Sequence, residues 1–82
     1  MREVRVGRPV IIGEVTIVPL ERVSVYHGSR KGGLSLYISK EPIGVVISLA
    51  QGKQAFNMSG ERVPLETYTQ EIDDLQQVLD SL

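Results

Sequence analysis

The sequence predicts an α+β domain: an antiparallel β-sheet or small open barrel of five to seven strands with one C-terminal helix. Three observations predict it. Short β-branched runs recur between Gly and Pro turn signals across residues 2–63, as a sheet built from hairpins requires. The run Ile43–Ala50 is almost wholly apolar at both parities, which marks a central strand covered on both faces. Tyr68, Ile72, Leu75, Leu79 and Leu82 recur at spacings of 4, 3, 4 and 3, one stripe along a helix over about 67–81. Residues 1–82 read as a single domain.

Val4 and Val6 alternate with Glu3 and Arg5 as a short strand ended by Gly7. Pro9 opens Val10-Ile11-Ile12, since proline is tolerated at a strand's first residue. Gly13-Glu14 suits a two-residue type II′ hairpin into Val15-Thr16-Ile17-Val18. Pro19 cannot donate to a ladder, so this strand lies at an edge or breaks there. Val15, Ile17, Val23 and Val25 share one parity, and Glu21 falls on it. A bulge or bend near Pro19-Leu20-Glu21 would turn Leu20 inward.

Gly28-Ser29-Arg30-Lys31-Gly32-Gly33 reads as a loop. Leu34, Leu36 and Ile38 then alternate with Ser35, Tyr37 and Ser39, a half-buried strand with one wet face. Lys40-Glu41-Pro42 is a second turn. The next strand carries Ile43, Val45, Ile47 and Leu49 on one face and Gly44, Val46, Ser48 and Ala50 on the other. Gly44 permits close approach to that second face. Lys53–Met58 follows, Ser59-Gly60 turns the chain, and Glu61-Arg62-Val63 is a short edge strand. Thr67 and Gln70 form a capping-box pattern, and Glu71, Asp73 and Asp74 suit a helix N-terminus. The apolar stripe either covers its own sheet or pairs with the helix of a second copy.

Eighty-two residues support only a small core, so association is an expected source of stability. The absence of cysteine excludes disulfides and thiolate chemistry and fits a reducing cytoplasm. No apolar run approaches the length of a membrane-spanning helix, so no membrane insertion is expected. The first residues lack a signal-peptide core, which adds to a cytoplasmic expectation. Net charge is −1, unlike a nonspecific nucleic-acid binder. Residues 1–40 hold seven Lys/Arg against three acids, and residues 41–82 two against seven. The two halves can attract within one chain or between copies.

His27 is the only histidine. Ser24 and Ser29 are near it in sequence, but no Ser-His-acid pattern is visible, and the plain reading is a strand-end histidine. One histidine without cysteine cannot supply a zinc site. Asp73 and Asp74 could offer a carboxylate Mg²⁺ or Ca²⁺ site, but acidic residues at a helix N-terminus explain themselves electrostatically, and that is the leading reading. No catalytic residue, metal site or cofactor is expected. The 28–33 loop could hold a phosphate on its amides and cations, but matches neither the P-loop nor the dinucleotide fingerprint. Tyr26 and Tyr37 flank it. With His27, Arg30 and Lys31 they are the candidate ligand- or nucleic-acid-binding set. The leading reading of the two tyrosines is a packed sheet pair or interface anchors.

The order Gly7-Arg8-Pro9, Thr16-Ile17-Val18-Pro19, Val23-Ser24, Gly28 with Gly32-Gly33, and Glu41-Pro42-Ile43-Gly44-Val45-Val46-Ile47 resembles the GerW (YtfJ) family of sporulation-associated proteins. It covers about half the chain. The loop is shorter and less glycine-rich than that family's, and it carries Arg30 and Lys31. The resemblance implies a small β-rich domain linked to spores and germination, without established enzymatic activity, and it transfers no catalytic residue.

The leading functional expectation is a non-enzymatic structural or interaction module that forms a homo-oligomer, a dimer being favoured. A protein partner is the next option, and nucleic acid is disfavoured. Gly44, Val46, Ile72, Leu75 and Leu79 are the candidate interface residues. The face of Gly44 and Val46 is covered by the chain's own helix, by another copy, or by nothing. A ligand- or nucleic-acid-binding domain using residues 26–37 is the alternative, and a hydrolase centred on His27 ranks last.

Overall fold

The computed structural model describes residues 1–30 and 32–82, with Arg30 described by its backbone only. Six strands, β1 (Arg2–Val6), β2 (Val10–Ile12), β3 (Val15–Arg30), β4 (Gly33–Leu49), β5 (Gly52–Asn57) and β6 (Arg62–Val63), precede two short helices, α1 (Glu66–Thr69) and α2 (Leu75–Asp80). The fold is α+β. Its sheet is antiparallel and open, in the order β1-β3-β4-β5-β6, with β2 also paired to β3.

β1 and β2 line the same edge of β3, because β4 occupies the other from Thr16 onward. Gly13-Glu14 forms the expected hairpin, with Ile12 opposite Val15 and Gly13 at φ +61°. Only the first turn residue has positive φ, as a type II′ turn requires.

The expected break at Pro19 does not occur. β3 runs through it, because Pro19 faces the gap between β1 and β2. Its carbonyl accepts from the Gly7 amide at 2.8 Å. In a strand the N–H and C=O of one residue share an edge, so the missing donor points where no ladder partner stands. The irregularity lies one step on, between Leu20 and Glu21. There Leu20 pairs with Gly44 and Glu21 with Pro42, leaving Ile43 extra. This bulge also replaces the expected turn at Lys40-Glu41-Pro42, which lies inside β4. Pro42 is on a stretch of β4 whose outer edge carries no strand, since β5 pairs only from Gly44 onward, a position that tolerates proline.

The single expected helix is two. Helical bonding continues to Ile72, whose amide reaches the Tyr68 carbonyl at 2.8 Å, and resumes into α2. Ile72-Asp73-Asp74 joins a β-branched residue to two aspartates, all weak in helix interiors. The capping box does not form: α1 starts at Glu66, and neither helix has a side-chain cap.

The core lies between one face of the sheet and this helical segment. Val18, Leu20, Val46 and Ala55 meet Tyr68, Ile72, Leu75 and Leu79, all buried, with Val4, Val6, Ile43, Val63, Leu65 and Val78 at the margin. The far half of the β3–β4 hairpin extends beyond it. The molecule measures 57 × 23 × 23 Å with a radius of gyration of 15.7 Å, against about 12 Å for a compact chain of this length. The ribbon in which residues 26–30 pair with residues 33–37 is the projection, hereafter the arm.

Candidate functional site

Residues opposite one another in a ladder share a face. Val18 opposite Val46 and Ala55 defines the helix-covered face. The next row, Pro19 opposite Val45 and Phe56, therefore points to the other side. Ile17 opposite Val10 and Ile47, and Val15 opposite Ile12, join it. Neither helix packs on this side. Pro19, Val45, Ile47 and Phe56 are half-buried, while Val10, Ile12, Leu49 and Met58 are exposed. Pro19, Pro42, Val45, Ile47, Phe56 and Met58 line an open apolar depression of about 500 Å³.

Beyond the bulge the same face turns polar once. Glu21 accepts from Arg5 Nε at 3.0 Å, and Lys40 Nζ is 4.0 Å from the same carboxylate. Farther out the face is apolar again. Val25 stands opposite Ile38, His27 opposite Leu36 and Ser29 opposite Leu34. Leu34, Leu36 and Ile38 are 74%, 60% and 57% exposed. Along its length the uncovered face thus reads apolar, charged, apolar.

The candidate binding residues are divided between the two sides of the arm. Tyr26 and Tyr37 are cross-strand neighbours on the side opposite this face, with ring centroids 6.1 Å apart at 33°, within the range of a favourable aromatic pair. His27 points to the apolar side, and its side chain makes no hydrogen bond among the described residues. The Arg30 side chain and Lys31 lie outside the described residues. The expected six-residue loop is mostly ladder, pairing Gly28 with Ser35, Ser29 with Leu34 and Arg30 with Gly33. Ser24 is buried on the tyrosine side, away from His27.

The candidate interface residues need a correction. Gly44, Val46, Ile72, Leu75 and Leu79 lie in the core and are buried by their own chain. The apolar stripe covers its own sheet, and Tyr68 is what approaches Gly44. The surface left over is the one that carries Val45 and Ile47. Its signal was in the sequence, as one strand apolar on both faces with a single helical segment to cover it.

Among the described residues no group of three or more His, Asp or Glu is placed to hold a metal ion, and no helix is long and apolar enough to cross a membrane. A recess of about 740 Å³ at the end away from the arm is lined by Ile11, Glu14, Thr16, Ser48, Lys53 and Ser81, among others, and no histidine lines it. Compared with protein-family models, with curated proteins and with solved structures, the chain matches none of them.

Proposed function

We propose that this protein is a non-enzymatic interaction module that self-associates as a homodimer through its uncovered sheet face. The observation behind the reading is the asymmetry of the sheet: the helices cover one apolar face and leave the other bare. Burying apolar surface contributes about 25 cal/mol per Å², and a small domain gains stability by covering such a face with a second copy. The apolar patch around Val45, Ile47 and Phe56 is of the kind that marks an interaction site.

Sedimentation equilibrium tests the reading. The wild type is expected to be dimeric at micromolar concentration. Ile47→Glu is expected to be monomeric with an unchanged circular dichroism spectrum, because Ile47 is outside the core. A wild type that stays monomeric at several hundred micromolar would overturn it.

A cytoplasmic setting belongs to the same proposal, since a cysteine-free chain suits a reducing compartment. The GerW-like order of motifs extends it to a sporulation-associated role. Deleting the gene in a spore-forming host with no effect on sporulation or germination would remove that extension.

The exposed Tyr26–Tyr37 pair favours one second reading, a stacking platform for a single-stranded nucleic acid or another planar ligand. Tyr26→Ala with Tyr37→Ala would then abolish binding to a panel of single-stranded DNA, RNA and nucleotides. No binding by the wild type would discard it.

A further inference from the structure

We infer that the two copies pack antiparallel and face to face, so that the arm of each lies in the apolar depression on the body of the other. The inference rests on the self-association reading above and adds the geometry.

Shape is the first argument. One face of one chain carries both a projecting apolar ribbon, with Leu34, Leu36 and Ile38 largely exposed, and a concave floor around Val45 and Phe56. Two concave floors set against each other would leave a void, and voids forfeit contact energy. In a two-fold interface, a surface that meets a second surface is met by that second surface in return. A knob and a hole on one face therefore satisfy each other twice.

Position is the second argument. Leu36 is the central one of the exposed apolar residues Leu34, Leu36 and Ile38, and Val45 lies in the middle of the depression. The two are nine strand residues apart, or about 30 Å. An axis that exchanges them passes midway, between Lys40 and Glu41. That is where the face turns from apolar to charged, and the charges there are mixed: Glu21 with Arg5 and Lys40, and Glu3 on the same side opposite Val23. A single-sign cluster on the axis would repel its own copy, whereas a mixed cluster offers carboxylates to cations across it.

Size is the third. The face shared by two copies related by that axis runs from Gly33 to Ser48 of β4, fifteen strand steps or about 50 Å. At the arm's width of about 10 Å it buries about 500 Å² on each copy and about 1,000 Å² in all, the threshold of a specific interface.

The chain has no cysteine, so a spin label on Ser35→Cys reports one site per copy. Ser35 is exposed on the arm and faces away from the proposed contact. Dipolar spectroscopy of the dimer is expected to give a label separation of about 40 Å, from eleven residue steps along the strand and one sheet-to-sheet gap. A parallel two-fold, with arm on arm, would give about 20 Å. A dimer at the shorter distance overturns this arrangement and leaves self-association standing. Unlabelled wild type that sediments as a monomer overturns both.

Discussion

The phenol ring of Tyr68 occupies the space above the Cα of Gly44. A methyl group built on Gly44 would stand 2.7 Å from Tyr68 Cζ and 2.8 Å from the Phe56 carbonyl oxygen. The ring could swing away only by leaving the core. The carbonyl is fixed by the β4–β5 ladder, in which Gly44 faces Asn57. Overpacking of this kind costs about 1–3 kcal/mol, and here both neighbours are constrained. Gly44→Ala is therefore expected to lose about 3 kcal/mol in urea denaturation. A loss below about 1 kcal/mol would show that the ring is not seated there.

The hydroxyl of the same tyrosine donates to the Ile43 carbonyl at 3.2 Å. Burial first, and the Glu71 carboxylate second, hold this phenol above the ordinary tyrosine value. The sign follows from linkage. The unfolded chain ionises near pH 10, while the folded chain keeps its proton to higher pH. The contribution is therefore fully present below about pH 10 and is lost as pH rises above it. Tyr68→Phe should cost about 1 kcal/mol at neutral pH through the lost hydrogen bond. Its stability should then fall less steeply than the wild type's between pH 10 and 11.5. Parallel curves for the two proteins would contradict the assignment.

Asn57 organises the turn between β5 and β6. Its Oδ1 accepts from the backbone amides of Ser59 at 3.0 Å and Glu61 at 2.9 Å, while its own backbone N–H donates to the Glu61 carbonyl at 2.9 Å. Such a side chain imitates a backbone turn. Asn57→Ala removes one acceptor from two amides and is expected to cost about 1 kcal/mol. Asn57→Asp keeps the acceptor and is expected to lose less, although Glu61 is close to the new charge. Equal losses in thermal melts of the two variants would show that the turn does not depend on this oxygen.

How far the sequence revealed this fold is clearest at three points. The parity conflict at Glu21 pointed near the irregularity for the wrong reason: β3 keeps its alternation, Glu21 shares the uncovered face with Val15, Ile17 and Val25, and the extra residue is Ile43 on β4. Pro19 misled for a physical reason: its lack of an N–H forbids a central strand only where a partner stands opposite, and the gap between β1 and β2 is a tertiary feature. The 4, 3, 4 spacing marked Ile72, Leu75 and Leu79 as inward-facing, but it could not show the break at Asp73-Asp74, since two short helices can preserve the same stripe. For the candidate surface, the two-faced apolar strand was legible and the choice of face was not. That choice depends on Tyr68 seating over Gly44, a contact between residues 24 positions apart (68 − 44).

The arm supplies the last prediction. Leu36 is 60% exposed and lies outside the core, so it contributes little to the fold of one copy. In a dimer built on the uncovered face it is buried by the partner. Association then stabilises the folded chain by mass action, and the melting temperature becomes concentration-dependent. For a chain of this size, a hundredfold rise in concentration should raise the wild-type midpoint by about 5–10 °C. Leu36→Lys places a charge on that surface, as natural exposed strands do to prevent pairing. Its melting temperature should match the wild type's at the lowest concentration and stay there as concentration rises. Calorimetry over that range reads both curves. A wild-type midpoint that does not move would place Leu36, and the face it lies on, outside any self-contact.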